Sequence, residues 1–195
     1  MQLHDNKGQR LYLTVSELKA FLETASQASR EVRTLCLMLA YTGCRVSEAL
    51  NLTHSNIDFV EKTVIFETLK KRKKGVYRAV PVPDILLDAL NMVHGIQDAR
   101  RGKKGAEKPV LIWDWCRKTA WQKITLVMKE AGIEDGPHRS PKGLRHCYGV
   151  NAISKGVPLN LLSKWMGHAS LEVTAIYANA LGEEQRSIAA RMWDQ

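Results

Sequence analysis

The chain has 195 residues, room for one domain with at most a small appendage, and its 45% hydrophobic content supplies a globular core, which excludes a wholly disordered chain. Lysine and arginine number 29 against 20 aspartates and glutamates, a formal net charge of +9, and that surplus points to a polyanionic partner, nucleic acid before a membrane surface. The apolar run Leu35 to Ala40 is far short of the ~20 residues that span a bilayer, and the opening MQLHDNKGQR holds no apolar signal core, so a cytoplasmic protein with no membrane partner is expected.

Residues 1–12 read as an N-terminal extension. Thr14-Val15-Ser16-Glu17 is a capping box, in which the Thr14 hydroxyl bonds a backbone N–H and Glu17 reaches back. Leu18, Phe21, Leu22 and Ala25 recur at helical spacing and predict a helix over Val15 to Ser26. Val32 to Tyr41 is apolar nearly all round and reads as a buried helix, broken at Thr42-Gly43; Val46 to Leu50 starts a further short one. Thr63 to Leu69 and Val76 to Val82 are rich in β-formers and flank KKRKKG. This is a β-hairpin with a strongly basic tip ending at Gly75, whose second strand Pro81 and Pro83 favour at an edge.

After Asp84 the pattern turns helical, with Ile85, Leu86, Leu90 and Val93 on one face. Ala99 to Pro109 is a polar surface loop, Trp115 to Ala131 a helix and GIEDGPHRSP a turn-rich connection. Pro141 opens a helix to Ser154, Pro158 another to Met166, and Leu171 to Ala178 is short. A last helix, Glu183 to Trp193, has a modest apolar face of Ile188, Ala189, Met192 and Trp193. The whole is mainly α with one small antiparallel sheet near residues 58–82, an α+β class. Cys36, Cys44, Cys116 and Cys147 lack C-x-x-C spacing and read as reduced packing residues.

The chemistry is concentrated in a few blocks. Arg45 lies in TGCRVSEALNL, Arg145 and His146 in KGLRHCYG, and His168 and Tyr177 in LLSKWMGHASLEVTAIYANA. Two arginines, a histidine and a tyrosine on separate segments of a basic chain suggest a tyrosine hydroxyl that attacks a phosphodiester while cations hold the phosphate, chemistry that needs no metal. His138, His146 and His168 lack tight ligand spacing and no acidic cluster accompanies them, so a metallo-nuclease is disfavoured and no cofactor is expected.

With these blocks in order, the chain resembles the catalytic domain of the tyrosine site-specific recombinases, the phage integrase family, from about Leu13 to Tyr177. The interval of nine residues from His168 to Tyr177 and of 23 from Arg145 to His168 is typical of that family. The resemblance implies that Arg45 and Arg145 fork onto the non-bridging oxygens of the scissile phosphate. Glu48 would orient Arg45, His168 would donate to the phosphate, and His146 would support. Tyr177 would be the nucleophile, leaving a 3′-phosphotyrosine and a free 5′-hydroxyl, with religation that needs no ATP.

A hairpin lysine would protonate the leaving 5′-oxygen. Counting from the start of the first strand favours Lys70, and counting back from Pro81 favours Lys73; Lys70, directly after the strand, is chosen, with Lys71, Arg72, Lys73 and Lys74 gripping DNA phosphates. Lys142 stands where the family usually has histidine, three residues before Arg145. It can donate a hydrogen bond or a charge but is a poor general base near neutral pH.

The resemblance further implies double-stranded DNA as partner, a homotetramer on DNA, accessory DNA-bending proteins, and a bacterial, phage or plasmid origin. Residues 13–180 would form the catalytic domain and 181–195 a helical tail, exchanged between protomers or folded back on its own core. Set against the resemblance, the chain is expected to lack the family's usual N-terminal DNA clamp, either as an excised fragment or as a short stand-alone member. Two other functions compete: a type IB topoisomerase that nicks and reseals as a monomer, and a DNA-binding regulator with a relic site.

Overall fold

The structure is a computed structural model that describes residues 2–68, 75–98 and 110–180, together with Ala190 and Trp193. Helix α1 spans Val15–Gln27 and opens with the expected capping box: the Thr14 hydroxyl accepts from the Glu17 N–H at 3.2 Å, and Glu17 accepts the Thr14 N–H at 2.7 Å. Helix α2, Arg30–Thr42, is the buried one, with Leu35, Cys36, Met38 and Leu39 sealed from solvent. It packs on α1, on α4 (Asp84–His94) and on α6 (Pro141–Ser154). A chain apolar on every side can occupy only that central place, since each face removed from water contributes about 25 cal/mol per Å².

Gly43 ends α2 in the left-handed conformation, with φ of 59°. The ring of Tyr148 packs so tightly against its Cα that any side chain there would collide with it. The chain therefore turns sharply into α3, Val46–Leu50. Strands β1 (Ile57–Asp58), β2 (Thr63–Glu67) and β3 (Tyr77–Pro81) form an antiparallel sheet in sequential order, with Val64 opposite Val80. β3 is an edge strand, as its prolines require. Both strands of the hairpin are shorter than their β-rich runs predict, β2 ending at Glu67 and β3 beginning at Tyr77.

Helix α5, Arg117–Glu130, starts two residues later than expected, because Cys116 caps it in an extended conformation. Ser140 caps α6, its hydroxyl accepting the Gly143 N–H at 3.2 Å, with Pro141 in the first turn. Helix α7 is Leu159–Met166. The segment expected as one helix from Leu171 to Ala178 divides into α8, Leu171–Ala175, and a tighter 3₁₀ turn, Ile176–Ala180.

The main core gathers residues from α1 to α6 and the sheet, with Phe21, Phe66 and Trp113 among its largest members. A second, smaller cluster holds Leu3, Ala152, Leu162, Met166 and Tyr177. The basic hairpin tip, the loop of residues 99–109 and all of the expected tail helix except Ala190 and Trp193 lie outside the described residues.

Candidate active site

Arg45 is the residue before α3, delivered there by the turn at Gly43. Its backbone N–H donates to Glu48 Oε2 at 2.9 Å and its Nη1 to Glu48 Oε1 at 2.8 Å. The Glu48 side chain is fully buried, whereas 30% of the Arg45 side chain faces solvent. Burial pushes the Glu48 carboxyl up, but Arg78 and then Arg45 outweigh it, and the net shift is downward. Glu48 is thus an anion at neutral pH that holds one edge of Arg45 and leaves the rest of the guanidinium open.

Arg145 comes from the middle of α6 and is buried. Its Nη1 donates to the Gly43 carbonyl at 2.6 Å and its Nη2 to the Met166 carbonyl at 2.7 Å, tying together the ends of α2 and α7. Its Nε is buried without a partner among the described residues. Burial first, then the nearby Arg45, lowers the guanidinium to about 10, so it stays charged at neutral pH.

Helix α7 ends at Gly167, φ 65°, where a side chain would come within 3.0 Å of the Arg78 guanidinium. His168 follows, its N–H bonded to the Ser163 carbonyl at 3.1 Å. Its Nδ1 lies 2.8 Å from Thr174 Oγ1, and its Nε2 is buried without a partner among the described residues. Burial and then Arg145, Arg45 and Arg78 push the ring down to about 3. A neutral ring that accepts the Thr174 hydroxyl at Nδ1 carries its hydrogen on Nε2, a donor with nothing among the described residues to receive it.

Tyr177 sits in the 3₁₀ turn and is fully buried. Its hydroxyl is 3.3 Å from His146 Nδ1, and its ring stacks on His168 with centroids 6.2 Å apart. Gly149 lies beneath that ring, and a Cβ there would fall 2.6 Å from Tyr177 Cζ. Burial raises the phenol to about 12 against the opposing pull of Arg145 and Arg45. His146 is buried and lowered to about 4 by burial, Lys142 and Arg145, so at neutral pH it is neutral and can accept the phenol's hydrogen bond.

Arg45, Glu48, Arg145, His146, His168 and Tyr177 therefore converge. Lys142, one turn before Arg145, is exposed and reaches this centre through its charge on His146. Lys70, Lys71, Arg72, Lys73 and Lys74 lie outside the described residues. Sequence reasoning missed Arg78, a buried arginine on β3 bonded to Glu48 Oε2 at 2.7 Å. The available signal is its phase: Arg78, Val80 and Val82 alternate on the inward face, with a cation where an apolar residue is expected.

A family comparison matches residues 11–184 to the phage integrase family. The chain belongs to the phage integrase family. Among curated relatives of this family member, the tyrosine recombinase XerD of Mycobacterium leprae is 34% identical over 187 residues, covering 87% of this chain and 57% of the relative. The chain thus spans less than two thirds of that relative's length. Among solved structures, a XerA recombinase superposes with a TM-score of 0.75 at 24% identity, covering 94% of this chain and 65% of the other. The XerH site-specific recombinase in its pre-cleavage complex with difH substrate gives 0.74 at 20% identity, covering 98% and 60%. These likenesses establish the fold of the phage integrase family for this chain.

Proposed function

We propose that the chain is the catalytic domain of a site-specific DNA recombinase that breaks and rejoins strands through Tyr177. The observation that carries this reading is the meeting of Arg45, Arg145, His168 and Tyr177 from four segments. Around them, Arg145 Nε and His168 Nε2 are buried donors that no group among the described residues receives. A non-bridging phosphate oxygen is an acceptor of the kind they lack, and leaving buried donors unmade is costly. The DNA-bound XerH neighbour accords with duplex DNA as the partner.

In this scheme the Tyr177 oxygen forms a bond to phosphorus and the bond to the 5′-oxygen breaks. Arg45 and Arg145 carry the charge that builds on the phosphoryl oxygens, and His168 donates from Nε2. His146 Nδ1 accepts the phenol's proton as the Tyr177 oxygen bonds to phosphorus, and a lysine of the basic turn, Lys70 or Lys73, gives the 5′-oxygen its proton. The 3′-phosphotyrosine keeps the bond energy, so religation needs neither metal nor ATP. Strand exchange between two duplexes takes four such sites, hence a tetramer on DNA, with accessory DNA-bending proteins as further partners.

Covalent trapping tests the reading. The protein and a Tyr177→Phe control are incubated with a library of nicked duplexes, adducts are separated under denaturing conditions, and their DNA is sequenced. An adduct that disappears in the control, with a consensus site, supports recombinase chemistry. Clear DNA binding with no adduct points instead to a regulator, and adducts of arbitrary sequence formed by a monomer to a topoisomerase.

A further inference from the structure

Among the described residues, Arg78 is the one arginine buried near this centre that the proposed chemistry leaves unused. Its side chain is only 4% exposed, and a charge in such a place is tolerated only when paired and hydrogen-bonded. The partners are spread over the site. Nε donates to the Trp165 carbonyl at 2.8 Å, Nη1 to Thr68 Oγ1 at 3.1 Å and more weakly to Glu48 Oε1 at 3.4 Å, and Nη2 to Glu48 Oε2 at 2.7 Å. The Phe66 ring lies 5.0 Å from the guanidinium carbon.

Each partner leads to a different part of the centre. Glu48 holds Arg45. Trp165 is in the last turn of α7, which delivers His168 across the glycine pressed against Arg78. Thr68 is the residue at which the strand leaves for the lysine-bearing turn. An apolar side chain in this phase of β3 would fill the space without the desolvation cost, so the cation is explained by what it holds.

We infer that Arg78 is a positioning residue, its guanidinium clamping Glu48 so that the carboxylate presents Arg45 to the phosphate in register with His168 and the base of the basic turn. This rests on the recombinase reading above. The charged and titratable groups acting at Glu48 are Arg78 from β3, Arg45 ahead of α3, Arg145 from α6 and the Cys44 thiol. Arg78 is the largest influence opposing burial there. Removing it raises the proton affinity of Glu48, and a protonated Glu48 no longer pairs with Arg45. Arg78→Met therefore gains an acid limb: its cleavage rate falls as pH drops through the raised value, while wild type shows no such limb.

The test is single-turnover formation of the Tyr177 adduct by the full chain, on a nicked duplex selected as above. Wild type, Arg78→Met, Arg78→Lys and the double variant Arg78→Met with Glu48→Gln are compared between about pH 5.5 and pH 8.5, with DNA affinity measured in parallel. Arg78→Met is expected to slow the adduct roughly 100-fold at neutral pH, the effect of a misplaced reacting group, with DNA affinity unchanged and the acid limb present. Arg78→Lys keeps the charge, loses the limb and recovers part of the rate. The double variant stays slow with no limb, because no carboxyl remains to titrate.

Rates and pH profiles of Arg78→Met equal to wild type overturn the assignment, as does an equal loss in Arg78→Met and Arg78→Lys with no limb in either. If Arg78→Met does not fold, Arg78→Lys decides, and wild-type rates in it refute the clamp. No Tyr177-dependent adduct in wild type sinks the recombinase reading and the clamp together. An adduct in wild type that Arg78→Met leaves untouched sinks the clamp alone.

Discussion

Lys142 is exposed one turn before Arg145, and its charge helps hold His146 neutral. It stands beside the centre and the buried groups stand in it, so its contribution is electrostatic. Lys142→Ala is expected to slow Tyr177 adduct formation by roughly 10- to 100-fold, below the loss for a fully desolvated donor, while DNA affinity stays nearly intact; equal loss in both measurements refutes that division. The same scale shows what a sequence conceals. Arg45, Arg145, His168 and Tyr177 stand out because each sits in a recognisable block. Arg78 does not, because its partners Glu48 and Trp165 are 30 and 87 residues away. Only the phase of β3 hints at it.

At the level of elements, local chemistry and structure agree most closely where a few neighbouring residues settle the matter. The Thr14–Glu17 box starts α1, and Arg10 reinforces it with two bonds to Glu17, at 2.6 Å and 2.8 Å. Thr14→Ala is expected to cost about 1 kcal/mol in urea unfolding; no change in midpoint would show that Arg10 alone anchors the turn. Arg10 and the Thr14 backbone hold Glu17 down to about 2, against 4.5 unperturbed. With its folded value depressed, its stabilisation is fully present above about pH 4.5 and fades as pH falls toward about 2. Elements go astray where tertiary geometry intervenes. Leu171 to Ala178 has helical residues throughout, yet it tightens into a 3₁₀ turn at Ile176, where Tyr177 is drawn over Gly149 and against His146.

For the molecule as a whole, the second core has a direct bearing on activity. Leu3 packs in one cluster with Tyr177, Leu162 and Met166, and the segment carrying it is pinned by the Leu11 N–H to the Leu3 carbonyl at 2.8 Å. Tyr177 is fully buried in this arrangement, so under the proposed chemistry its turn must move before it can reach DNA. Leu3→Ala removes buried contacts on one side of Tyr177, the proposed nucleophile, and lowers the cost of opening. Nitration of Tyr177, followed by mass spectrometry, is expected to accelerate about tenfold or more, a shift of ~1.4 kcal/mol in the opening equilibrium. An unchanged rate would show that Leu3 does not hold the turn closed.

Neighbouring residues and spacing encode the helical periods, the capping box, the two strands of the hairpin, and the blocks that carry Arg45, Arg145, His168 and Tyr177. How these meet is set by the packing of distant segments. Arg145 is bonded to carbonyls at the ends of two other helices, Glu48 is shared between two arginines, and Tyr177 is enclosed beside His146. Burial and long-range pairing arise when distant segments exclude water from one another, and no local pattern states which segments those will be.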